Sequence, residues 1–298
     1  MLDGVPAKDN GRFKIIEADV LGTRFGRFMI DEFKGDEIEF KLEQVVKVYN
    51  ATVDEKRAMA ATWPSEWPPE VLQALQPQMY IESTNESVVK AVETLTQGKP
   101  KAVSPYVLTK VLAKWTTETY RPLGRSFTND RYGAIDGIEV QGAAEAVTKK
   151  RGSFFNAVCL YVAACRASGL PARPVIGIDT GEKDELTAWA EVFLPAIGWV
   201  SVDIREIYSA PGRARNHELA WPGIGSDDEL NELVPVTNHF HPPVGVGGGD
   251  KGKPLLWSWL PQPEIARTEQ RIRISVMTAP NSGDRQRNPN QEDRPRRR

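Results

Sequence analysis

The sequence predicts an α+β fold: a central helix enclosed by protein, packed on an antiparallel sheet and preceded by a β-rich N-terminal unit. Three observations lead there. The run FFNAVCLYVAACRA, residues 154–167, is apolar on nearly every face, as a helix must be to sit inside a core. Two strand-like runs in LTAWAEVFLPAIGWVSVDI follow, joined by a turn that contains Pro195 and Gly198. The first fifty residues favour strands, and helices grouped apart from strands give α+β rather than an alternating α/β chain.

In chain order, FKIIEADVLG and RFMIDEFKGDEIEFKLE read as a small antiparallel sheet. Ile38, Phe40 and Leu42 alternate with Glu39 and Lys41, and Lys34, Gly35 and Asp36 suit a hairpin turn. In TWPSEWPPEVLQALQP, Pro64, Pro68, Pro69 and Pro77 interrupt regular structure, so Trp63 and Trp67 are expected to anchor an irregular connection on the next unit. Val88, Ala91, Val92 and Leu95 have helical spacing that stops at Gly98. Ser104 is a natural N-cap with Pro105 at the first helical position, and Val107, Leu108, Val111, Leu112 and Trp115 form one apolar stripe. After a loop at 129–142 a short helix is expected at 143–150, then the central helix, which Gly169 caps and Pro171 ends. A strand at 174–178 precedes the hairpin. Beyond Asp203 the chain reads as loop, with a strand in VPVTNHFHPPVG, a Gly-rich stretch, and a last strand in which Ile272, Ile274 and Val276 alternate with Arg273 and Ser275. From Asn281 onward the tail cannot bury apolar surface and is expected to be disordered and solvated. The resulting division is 1–80 for the β-rich unit with its Trp/Pro connection, 81–245 for the helix-and-sheet domain, 246–280 for the loop and returning strand, and 281–298 for the tail.

Composition narrows the function classes. With 298 residues the chain can bury a sizeable core, and its net charge of -2 supplies no long-range attraction to polyanions, so nucleic acid is not expected as a partner. No apolar run approaches the roughly 18 residues of a membrane span. MLDGVPAKDN lacks the zones of a secretory signal, which leaves the compartment open: exported if the start is a processed form, cytoplasmic otherwise. Cys159 and Cys165 lie about 9 Å apart along one helix axis, too far for a disulfide.

The motifs that carry chemistry cluster after Gly152. Arg166-Ala-Ser-Gly-Leu-Pro-Ala-Arg173 closes the central helix; Ala188-Trp189-Ala190-Glu191-Val192-Phe193-Leu194-Pro195 and Gly198-Trp199-Val200-Ser201-Val202-Asp203 follow. In this order and spacing they resemble the transglutaminase-like superfamily, whose core is papain-like. The resemblance implies a cysteine at the helix start two residues after a glycine, a histidine just before the Ala-Trp pair, and an aspartate ending the next strand. A helix start lowers a thiol's pKa, while an aspartate-oriented histidine moves the protons. At the matching positions this sequence has Phe154, Thr187 and Asp203. Phenylalanine has no nucleophilic atom and threonine no basic lone pair near neutral pH, so thiol chemistry at this site is expected to fail. If 194–198 forms the hairpin loop, Asp203 lies opposite Trp189 and diagonal to Thr187, with Thr187, Trp189 and Glu191 on one face.

The expectation is therefore a catalytically degenerate protein, or pseudoenzyme. Ser153, Phe154, Thr187, Trp189, Glu191 and Asp203 would line its cleft for a peptide or protein partner, unless Phe154 plugs it for a purely structural role. Neither cofactor nor metal is expected. The competing class is an enzyme with a non-standard residue set. Ser153 lacks an evident base and reads as an N-cap, and Cys159 sits too far into the helix to be polarised. His239 and His241 offer two nitrogens where a catalytic zinc needs three and a structural zinc four; His217 is the one other histidine. Asp203 with Glu191 suggests a carboxylate pair, against a plainer ion pair of Glu191 with Arg173. Trp189 and Trp199 read as core aromatics.

Overall fold

The computed structural model describes residues 12–17, 24–29, 50, 52–123, 126–129, 135–181, 185–212, 216–226 and 228–240. The expected strand around Ile38, the strand 272–276, the tail and His241 lie outside the described residues.

Two N-terminal strands, β1 (Arg12–Glu17) and β2 (Arg24–Met29), pair antiparallel from Arg12 opposite Met29 to Glu17 opposite Arg24. Then come helix α1 (Glu55–Met59), α2 (Glu86–Thr96), α3 (Pro105–Thr119), strands β3 (Arg121–Pro122), β4 (Phe127–Asn129) and β5 (Ile135–Ile138), helix α4 (Ala143–Lys149), strand β6 (Arg151–Gly152) and the central helix α5 (Phe154–Ala167). Strands β7 (Ala172–Asp179), β8 (Glu185–Leu194) and β9 (Gly198–Val202), helix α6 (Ile204–Ser209) and strand β10 (Leu233–Thr237) complete the order. The main sheet runs β10-β7-β8-β9 with antiparallel neighbours. This is α+β, with α5 as its hub: Val158 to Cys165 are at most 1% exposed and share one cluster with Val92, Leu112, Ala188, Ala190 and Val192. No helix among the described residues is long and apolar enough to cross a membrane.

Sequence grammar fixes most helix ends. Ser104 Oγ accepts from Val107 N–H and Pro105 opens α3; Ser153 Oγ accepts from Asn156 N–H at the start of α5. At the other end of α5, Gly169 stands at φ +78°, which lets Gly169 N–H donate to Arg166 O and Leu170 N–H to Cys165 O, the paired bonds of a Schellman stop. Arg166 is 4% exposed there. It donates to Ala172 O at 2.8 Å, Gln78 Oε1 at 2.9 Å and Gln76 O, so the buried guanidinium ties the helix end to β7 and to the incoming connection.

The Trp/Pro connection is anchored as its tryptophans suggest. Trp63 Nε1 donates to Val103 O and Trp67 Nε1 to Gly169 O, while the Trp67 ring meets Phe193 edge-on at 6.2 Å. It is more regular than its prolines imply. Pro69–Leu75 forms a 3-10 helix, because Pro69 occupies the first helical positions, where a missing N–H costs nothing. The larger correction lies after Asp203. That stretch was expected to loosen, yet Ile204–Ser209 is helical with Ile204 and Ile207 buried on one side.

Candidate functional site

The start of α5 is held from several directions. Gly152, at φ +150°, brings its backbone so close to Tyr120 that a Cβ would lie 2.5 Å from the tyrosine oxygen, so only glycine fits. Tyr120 O–H donates to Ser153 O at 3.2 Å, and Ser153 O–H donates to Glu139 O while its oxygen caps the helix. Asn156 Oδ1 accepts from Gln141 N–H at 2.6 Å and from Gly142 N–H. The helix tip is thus a positioned one, and Phe154 is the residue it presents.

Strand register puts the other two positions nearby. Leu194 pairs with Gly198 and Ala190 with Val202, so the same register carried one step further sets Asp203 against Trp189. Asp203 then turns the chain: its Oδ1 accepts from Arg205 N–H at 2.8 Å and Glu206 N–H at 3.4 Å, capping α6. Burial pushes the Asp203 carboxyl up from its ordinary value, and the Arg205 charge and these two N–H groups oppose that rise.

Arg205 links the site. Its Nη2 donates to Thr187 Oγ1 at 2.6 Å, and its guanidinium carbon stands 5.3 Å from the centre of the Phe154 ring. Tyr208, one turn further along α6, meets Phe154 edge-on at 6.3 Å. Thr187 is 2% exposed and Phe154 is half-buried. The structure therefore connects Phe154, Thr187 and Asp203 through Arg205, a residue that the sequence reading omitted. A signal was available: Asp203 with Glu206 three residues on has the spacing of a capping box, and Ile204 and Ile207 have helical spacing.

The remaining candidates are placed elsewhere. Trp189 is 3% exposed, outside the α5 cluster, against Gly177 of the adjacent strand, so its ring is packing. Glu191 accepts from Arg173 Nε at 2.6 Å, and Arg173 stacks on Trp199 at 4.1 Å; Glu191 is committed to that ion pair. Ser153 has Glu139 O and Asn156 N–H as partners, with no histidine or lysine hydrogen-bonded to its hydroxyl among the described residues. Cys159 and Cys165 are both 0% exposed. Burial drives the Cys159 thiol well up, and Cys165 to about 12, the reverse of what a nucleophile needs. His239 Nδ1 bonds Gln78 Nε2 at 3.1 Å, and no group of three or more His, Cys, Asp or Glu among the described residues is placed to hold a metal ion.

Residues 118–204 match the family model of the transglutaminase-like superfamily. None of the curated proteins matches the chain. Among solved structures, a candidate cysteine protease from Cytophaga hutchinsonii is similar at 18% identity and a TM-score of 0.40, covering 58% of this chain and 53% of that one. The periplasmic domain of TgpA from Pseudomonas aeruginosa is similar at 21% identity and a TM-score of 0.36, covering 52% of each chain. The match thus spans about half the length of each neighbour.

Proposed function

The chain is a member of the transglutaminase-like superfamily through residues 118–204, and from that premise we propose that it is catalytically degenerate, its active-site corner serving to bind a partner segment rather than to transform one. The observation that carries this reading is the bridge Phe154–Arg205–Thr187. Where the family places a thiol and an imidazole, this chain has an aromatic ring and a hydroxyl joined by a guanidinium. Neither end can attack a carbonyl or accept its proton at neutral pH. The alternative residue sets are weaker: Ser153 is spent on capping, and both thiols are sealed and hard to ionise.

Recognition of a peptide or protein is favoured over a purely structural role by what Arg205 leaves available. It is half-buried and has Thr187 as its hydrogen-bond acceptor among the described residues, while Tyr208 is 39% exposed beside it. A cationic fork and an aromatic rim suit a carboxylate-bearing segment.

Reactivity tests the degenerate reading. A neutral-pH electrophilic thiol probe is expected to leave the native protein unlabelled and to label the triple variant Phe154→Cys/Thr187→His/Arg205→Ala, in which a thiol regains the helix start and an imidazole faces it. Rapid labelling of Cys159 in the folded native chain, or amine transfer to a glutamine peptide by the native chain that Phe154→Ala does not alter, would overturn it.

A further inference from the structure

We propose that a second site, independent of the degenerate corner, binds a small organic phosphate in the cleft between the ends of α3 and α4. The cleft has a volume of about 550 Å³ and is lined by Glu118, Arg121, Leu123, Lys149, Lys150 and Arg151 among others. That size admits a small organic molecule rather than a lone ion.

The charge arrangement is what calls for an anion. Strands β3 and β6 pair in parallel with Arg121 directly beside Arg151. Register partners in neighbouring strands project to the same side about 4.8 Å apart, and like charges so placed repel. Lys150 adds a third cation at φ +57°, a helix-end position where glycine is the ordinary choice. The neighbouring charges do not neutralise these three: Lys149 is paired with Glu145, and Glu118 with Lys114 at 3.8 Å. Arg121, Lys150 and Arg151 have no carboxylate partner among the described residues.

The plain explanation is that α3 and α4 both end here and that cations complement helix C-termini. Two helix ends supply together only about one negative charge against three unpaired cations. The surplus matches a phosphate dianion, whose oxygens two adjacent guanidinium forks can grip. Leu123, 62% exposed on the wall, offers an apolar edge for the organic part of such a ligand.

Calorimetric titration of the full chain with phenyl phosphate, inorganic phosphate and, at equal ionic strength, sodium chloride tests this. Saturable one-to-one binding of phenyl phosphate is expected, tighter than inorganic phosphate. It should weaken at least tenfold in Arg121→Gln/Arg151→Gln and stay unchanged in Arg57→Gln, a distant exposed control. If the repulsion is real, the ligand-free double variant melts no lower than the native chain. The absence of saturable heat, equal weakening by the control substitution, or a lower melting point in the ligand-free double variant would each overturn the assignment, the last by making the arginines structural. Inorganic phosphate binding as tightly as phenyl phosphate would overturn the organic part of it.

Discussion

The two ends of α5 hold cations in opposite ways. At the C-terminal end Arg166 is 4% exposed and has three acceptors, Gln76 O, Gln78 Oε1 and Ala172 O. At the N-terminal end Arg205 is half-buried, lies against the Phe154 ring, and has one side-chain acceptor among the described residues, Thr187. A buried guanidinium is tolerable only when its N–H groups are taken up, so the first end is a structural joint. The second has guanidinium N–H groups without an acceptor among the described residues. The difference separates a helix end that is locked into the fold from one whose cation is only lightly held.

Breaking the C-terminal joint should have the largest effect. Arg166→Met leaves Gln76 O, Gln78 Oε1 and Ala172 O without their donor and is expected to destabilise the chain by about 3 kcal/mol, read as a lower urea midpoint with an unchanged slope. Arg166→Lys keeps the charge yet loses the planar fork, so it should recover only part of that. A loss below about 1 kcal/mol in the methionine variant would show that the helix end is held by packing alone.

The opposite end should respond weakly. Arg205→Gln removes a partly exposed ring contact and one hydrogen bond, together about 1 kcal/mol. The same urea titration decides it. If this substitution costs as much as Arg166→Met, Arg205 is itself a joint, and the contrast between the two ends fails.

The sequence made the C-terminal end legible and half of the other. Gly169 and Pro171 mark the stop of α5, Ser153 its start, and Pro195 with Gly198 the hairpin whose register runs to Val202 opposite Ala190, one residue before Asp203. These signals are local, each written within a few residues of the turn that it makes. Arg205 was not legible for two reasons. Its contacts to Phe154 and Thr187 join residues far apart in the chain, which no periodicity reports. Its helix is short, and Asp203, read as a remnant of a catalytic set, was not also read as the cap that starts it. Glu191 shows the converse. Its cross-strand partner Arg173 follows from register alone, and the ion pair was among the readings open from sequence.

The smallest effect sharpens the comparison through pH. Gln78 connects Arg166 to His239: its Oε1 accepts from Arg166, so its Nε2 donates to His239 Nδ1 and the imidazole proton sits on Nε2. Burial, and then the Arg166 charge, hold the His239 pKa below its ordinary value. A histidine depressed in the fold takes its proton more readily when unfolded. Its contribution is therefore present above the unfolded pKa of about 6.5 and is lost as pH falls below that value toward the folded one. His217 shifts in the same direction, by burial and the nearby Lys114 and Lys110 charges. Asp203 has the opposite sign: with its pKa raised, it favours the fold as pH falls through its folded pKa toward about 3.9. Urea unfolding between pH ~7 and ~5 should thus show stability declining, less steeply in His239→Gln because that variant lacks one of the two depressed imidazoles among the described residues. Asp203→Asn, which can still cap α6, should remove the opposing contribution, so that stability falls with decreasing pH at least as steeply as in the native chain. Identical slopes in the native chain and His239→Gln would mean that the imidazole is not coupled to the Arg166 joint, and the C-terminal end would then be no more pH-sensitive than the open corner at the other.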